Sequence, residues 1–165
     1  MRELLTEIFG NFSRLIIFFH IASAMLLVGS LFVMRVIVKP VMDTIESQEE
    51  RYAKGLELMR RFGYFLVPVM LVLISASVCR NVGLGFKYGN PTTYIMIHTK
   101  EALWTFIAFN FIYMWFKYRN AMKAYKEKEY IEVHENLILM VNYLIPLNFV
   151  LGLIAAYFGI ILRGF

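Results

Sequence analysis

Cysteine and charge are both scarce in this chain of 165 residues. Cys79 is the single cysteine, which excludes an internal disulfide and a Cys-x-x-Cys redox or metal site. Charged residues make up only 18% of the sequence, whereas hydrophobic residues make up 59%. The sequence also has no acidic or basic tail and no low-complexity segment. This balance is typical of membrane proteins rather than of ordinary globular domains.

A net charge of +5 raises the question of nucleic-acid binding. The basic residues are not spread over one face but cluster in short segments between apolar runs. Membrane proteins distribute their basic residues in this way. The charge pattern therefore favours a lipid bilayer as the partner and argues against nucleic acid.

Four stretches have the length and apolar character of membrane spans, which need about 20 residues. They predict an all-α integral membrane bundle of four transmembrane helices, forming a single domain over residues 1–165. The segment "MRELLTEIFGNFSR" is amphipathic and has no small-residue cleavage site after it, which predicts a short N-terminal interfacial helix rather than a cleaved signal. The predicted spans are approximately 15–38, 62–82, 94–116 and 136–162.

The basic residues also predict an orientation. Ten Lys and Arg lie in segments 39–61 and 117–128, and five lie on the opposite side of the predicted bundle. Because cytoplasmic connections carry the excess of Lys and Arg, these two segments are predicted to be cytoplasmic and both termini to face outward.

Two histidines stand out in the apolar runs. His20 lies in "FFHIASAMLLVGSLF", about 8 Å into the first span, and His98 lies about 6 Å into the third. Both spans start on the same side, so the two imidazoles are expected at a similar depth. Ionisable groups inside a bilayer usually face the bundle interior and carry function. We therefore expect His20 and His98 to face a shared hollow.

This arrangement suggests a haem site. A neutral imidazole ligates iron, and small residues such as Ser23 admit the flat macrocycle. Arg80 and Arg163, at the rim, are expected to pair with the propionates. Copper is the alternative metal for His20 and His98, since imidazole and thioether are both copper ligands and the chain has ten Met. In a third reading, the histidines only tie helices together by hydrogen bonds.

Four motifs follow one another at spacings that resemble the HemJ-type protoporphyrinogen oxidases and the related CopD copper-resistance membrane domains. "HIASAMLLVGSLFVMR" (residues 20–35) is similar to that group's first helix, and "MRRFGYFLVPVM" (residues 59–70) to its second. "HTK" (residues 98–100) matches the entry to its third helix, and "NYLIP" (residues 142–146) loosely matches a segment of its fourth. Leu27 stands where the family usually has Trp.

The resemblance implies a bacterial inner-membrane protein with haem b, periplasmic termini and roles for His20 and Lys100. In an oxidase of this kind, an anionic porphyrinogen would dock near Lys100, Arg80 or Arg35, with Lys100 and Arg35 as the catalytic candidates. Lys100 is also an alternative amine ligand for the iron. Electrons would pass through the haem to a quinone or another acceptor. A copper-handling protein, a non-catalytic membrane subunit and a homo-oligomer remain open at this point.

Overall fold

The computed structural model describes residues 2–83 and 91–162, and all regular structure in these ranges is helical. This confirms the predicted all-α class. Two π-helical turns, Met34–Val38 and Leu139–Leu144, connect α-helices into longer continuous rods. The α-helices are α1 (Arg2–Val33), α2 (Lys39–Asp43), α3 (Gln48–Gly83), α4 (Pro91–Lys126), α5 (Tyr130–Ile138) and α6 (Ile145–Ile161).

Three helical stretches in the described part of the chain are long and apolar enough to cross a membrane: Glu3–Asp43, Gln48–Gly83 and Tyr130–Ile161. They contain the first, second and fourth predicted spans. The third predicted span, 94–116, lies within α4, which is long but less apolar. Lys100 and Glu101 are adjacent near its start, and Asn110 lies in its middle.

The four long helices run antiparallel to their neighbours in a ring. α1 packs against α3 and α6, and α4 packs against α6 and α3, so α1 and α4 lie diagonally opposite. Asn110 of α4 donates a 2.9 Å hydrogen bond to Asn148 of α6. Asn148 is completely buried, so this bond joins the two helices inside the core.

The helices α3 and α4 are longer than the hydrocarbon core of a bilayer is thick. α3 and α4 have 36 residues each, about 54 Å at 1.5 Å per residue, against a hydrocarbon core of about 30 Å. Much of segments 39–61 and 117–135, predicted as connections, is therefore helical. A second small core forms there from Tyr52, Leu56, Ala121, Ala124 and Val133.

Proline explains the position of both π-helical turns. Pro40 and Pro146 follow the turns within two residues. A proline has no N–H to donate and its ring clashes with the carbonyl four residues earlier, here that of Val36 or Asn142. Widening the helix into a π turn relieves this conflict, and such turns frequently occur at functional sites. The two π turns contact each other.

The N-terminal part of α1 is set off by a local break. Phe12 has non-helical backbone angles (φ −124°, ψ 24°) within α1. The preceding segment remains packed against the bundle, since Phe9 is buried and its ring lies against Gly83 at the end of α3. A Cβ atom at Gly83 would clash with the Phe9 ring. Glycine is therefore needed for this contact.

Candidate functional site

His20 is the most deeply buried ionisable side chain predicted to be functional, with 5% of its surface exposed. Its Nδ1 atom is buried and has no hydrogen-bond partner among the described residues. The ring also interacts with the backbone carbonyl of Leu73 in α3. The cationic groups of Arg80 and Lys100 lie near enough to interact electrostatically with the ring. An imidazole from α1 and cations from α3 and α4 thus meet inside the bundle.

Helix pairing explains why these residues share one level. Val28 of α1 lies against Gly152 of α6, and one turn further on Phe32 contacts Phe149. Continuing this antiparallel pairing two turns toward the start of α1 brings His20 level with the end of α6. Gly159 lies there and contacts the Lys100 side chain. The expected similarity in depth between His20 and the start of the third span therefore agrees with the contacts.

Lys100 is buried, with 9% of its surface exposed. Its Nζ atom lies 3.1 Å from the position that a Cβ atom at Gly159 would occupy. The absence of a side chain at Gly159 therefore makes room for the ammonium group. No carboxylate within residues 2–83 or 91–162 forms an ion pair with Lys100. Since a buried charge without a counter-ion is costly, this position favours an anionic partner.

Trp104 lies one turn after Lys100 on the same face of α4. It packs on the main core, and its indole Nε1 is buried without a hydrogen-bond acceptor in the described chain. Sequence reasoning missed both Trp104 and Gly159. Trp104 could have been found from its spacing, because residues four apart in a helix lie on the same face and Trp104 is four residues after Lys100. Nothing in the sequence marks Gly159 as the neighbour of Lys100, because the two residues lie in different helices.

His98 does not join the buried cluster. Its side chain is 43% exposed, and its Nδ1 lies 3.2 Å from a carboxylate oxygen of Glu101. Its ring also makes an edge contact with Tyr94, at a centroid distance of 4.2 Å. Residues two apart on a helix point about 200° apart, so α4 cannot bury both His98 and Lys100. Lys100, and not His98, is therefore the side chain of α4 that interacts with His20.

The remaining predicted site residues have separate positions. Ser23 is buried, but its hydroxyl donates a 2.7 Å hydrogen bond to the carbonyl of Phe19 within its own helix. Arg35 lies in the first π turn, about 22 Å along the helix from His20. The two catalytic candidates, Arg35 and Lys100, therefore lie at opposite ends of the bundle. Arg163 lies outside the described residues.

Within the described ranges, no group of three or more His, Cys, Asp or Glu side chains is arranged to hold a metal ion. No family model, curated protein or solved structure matches the chain. The resemblance to the HemJ and CopD group accordingly rests on the four sequence motifs alone.

Proposed function

We propose that this chain is a four-helix membrane protein that binds haem b between its helices, with His20 as the iron ligand. The observation that carries the proposal is the buried, unpartnered Nδ1 of His20, beside a buried Lys100 that has no carboxylate partner in the described chain. Haem provides a partner for each group. Its iron binds an imidazole nitrogen, and its propionates accept hydrogen bonds from Lys100 and Arg80.

The outward faces of the helices support a membrane location. Large apolar side chains that are more than half exposed include Phe18, Met25, Val67 and Leu71. α4 carries the same kind of surface at Phe106, Phe109, Ile112, Tyr113, Trp115 and Phe116. A water-soluble protein rarely exposes so continuous an apolar surface. We therefore place α4 in the membrane with the other three helices despite Lys100 and Glu101.

Charge favours haem over copper at His20. Arg80 and Lys100 both interact with the ring, and two nearby cations oppose the binding of a bare metal cation. They assist an anionic macrocycle instead. Bound there, haem would supply one-electron redox chemistry at its iron. The protein contributes the neutral imidazole, the buried cations and the exclusion of water from this level of the bundle.

The substrate and location are proposed more broadly. A porphyrinogen carries carboxylates, and Lys100 and Arg80 can form ion pairs with them as they can with haem propionates. A porphyrinogen substrate, with a quinone or another electron acceptor, is therefore consistent with the recognition chemistry. With the basic end cytoplasmic, His20 and both termini lie on the periplasmic side of a bacterial inner membrane.

The test is an absorption spectrum of the detergent-purified protein, oxidised and then reduced, combined with iron and copper analysis. We expect stoichiometric iron and a haem b spectrum in the wild type. His20→Ala should lose haem, whereas His98→Ala should retain it. His98 is the matched control because it is the same residue type at a similar level but is exposed. A colourless wild-type protein, stoichiometric copper without iron, or a His20→Ala variant with an unchanged spectrum contradicts the proposal.

Lys100→Met tests the cationic contribution separately. It retains the length of the side chain but removes its charge. We expect the variant to keep the haem spectrum of the iron–imidazole pair but to bind added haem at least about tenfold more weakly, since a charge-assisted hydrogen bond contributes about 1.5–3 kcal/mol. Haem affinity equal to that of the wild type would show that Lys100 does not contact the propionates.

A further inference from the structure

A cavity lies at the end of the bundle opposite His20, between the two π-helical turns. Its volume is about 210 Å³. Met34 and Val38 of the first π turn line one side, and Val141 and Asn142 of the second line another. α3 contributes Tyr52, Gly55, Leu58 and Met59 to the lining, and α5 contributes His134. Met34 is about 21 Å along the helix from His20, so this cavity is separate from the proposed haem site.

Apolar residues make up most of the lining, and its polar members are Lys39, Asp43, Arg51, Tyr52, His134 and Asn142. Met34, Met42 and Met59 all contribute to the wall, and methionine suits flat, polarisable ligands. Asn142 Oδ1 is buried and accepts no hydrogen bond from the described residues. An unsatisfied hydrogen-bond acceptor therefore lies in a wall that combines apolar and polar groups, which is the usual composition of a small-molecule site.

Tyr52 adds a donor. Its hydroxyl accepts a 2.9 Å hydrogen bond from Gln48 Nε2, so its own proton is still available to donate. The Tyr52 ring lies 5.9 Å from the His134 ring. Together, Tyr52 and Asn142 offer one hydrogen-bond donor and one acceptor in the lining of this cavity.

The volume limits the ligand to a single ring. A cavity of about 150 Å³ in another protein holds benzene, so 210 Å³ accommodates a substituted six-membered ring but not a porphyrin. A quinone carbonyl accepts the Tyr52 proton, and the hydroxyl of the reduced form donates to Asn142 Oδ1. We propose that this cavity binds the headgroup of a membrane benzoquinone or its quinol. The inference rests on the membrane location proposed above, because the apolar tail must come from lipid, but it does not require haem at His20.

The test is equilibrium dialysis of the full-length protein in detergent with a short-chain alkyl benzoquinone. We expect saturable binding to the wild type at one site per chain. Gly55→Leu fills the cavity and should weaken binding at least tenfold. Gly55 lines the cavity, and an added Cβ atom there would contact Leu137 at 3.4 Å, an ordinary packing distance. Asn142→Leu removes the acceptor and should weaken binding roughly tenfold.

Gly63→Leu is the matched control. It lies in the same helix, and an added Cβ atom there meets nothing within 4 Å. The quinone affinity of Gly63→Leu should stay within about twofold of that of the wild type, as expected for a substitution outside the site. His20→Ala should also bind the quinone normally, even if it loses haem. Equal weakening by Gly55→Leu and Gly63→Leu overturns the assignment, as does a wild type that binds only an anionic phospholipid and no quinone. Quinone binding without haem would leave this site standing and refute the haem proposal.

Discussion

Gly152 of α6 packs against Val28 of α1, and replacing it by alanine tests the helix pairing that sets the level of His20. A Cβ atom at this position would lie 2.9 Å from Val28 Cγ2. Carbon atoms prefer separations of about 3.5–4.0 Å. Val28 is β-branched, so its methyl group cannot rotate away freely. The two helices must separate or the valine must leave its preferred rotamer.

The size of the effect follows from two opposing terms. Overpacking of this kind costs about 1–3 kcal/mol, whereas replacing glycine by alanine within a helix contributes about 1 kcal/mol of stability. Gly152→Ala should therefore lower the free energy of unfolding by up to about 2 kcal/mol. Gly29→Ala, in α1, has nothing within 4 Å of the added Cβ and should raise it by about 1 kcal/mol.

The assay is equilibrium unfolding in mixed micelles, followed by circular dichroism. The double variant Gly152→Ala/Val28→Ala should recover most of the loss, because removing the valine methyl groups makes space for the new one. A double-mutant cycle would then give a favourable coupling of at least about 0.5 kcal/mol. If Gly152→Ala stabilises the protein as much as Gly29→Ala, or if the two substitutions are additive, the inferred contact between α1 and α6 is wrong.

Three further predictions concern other contacts. Gly159→Ala places a Cβ atom 3.1 Å from Lys100 Nζ; because the flexible lysine can shift, we expect little loss of thermal stability but a several-fold loss in haem affinity, measured by titration. Unchanged haem affinity would refute a role for this packing. Asn148→Leu removes the hydrogen bond from Asn110 and should cost about 1 kcal/mol in the same unfolding assay; no loss would mean that the bond does not form. Lys128 has a positive φ of 61° after α4, so Lys128→Gly should raise the unfolding free energy by about 1 kcal/mol, whereas a decrease would contradict that backbone conformation.

The composition and the order of apolar runs were enough to predict the helices. Long uncharged segments cannot satisfy their backbone groups in lipid except as helices, so the all-α class follows from residue types alone. The ends of the helices were not predictable in this way. Segments 39–61 and 117–135 are charged and looked like connections, yet tertiary contacts at Tyr52, Ala121 and Val133 hold much of them in helices.

The level of His20 relative to the third span also followed from the sequence, because helical rise converts residue numbers into depth. Which side chain of α4 faces inward at that level did not. His98 and Lys100 are two residues apart, and only the rotation of α4 against α6 decides between them. That rotation depends on where Gly159 leaves space and where Asn148 accepts a hydrogen bond from Asn110. Gly159 and Asn148 both lie outside α4. Packing between helices, and not a local sequence pattern, therefore determines that Lys100 is buried and His98 is exposed.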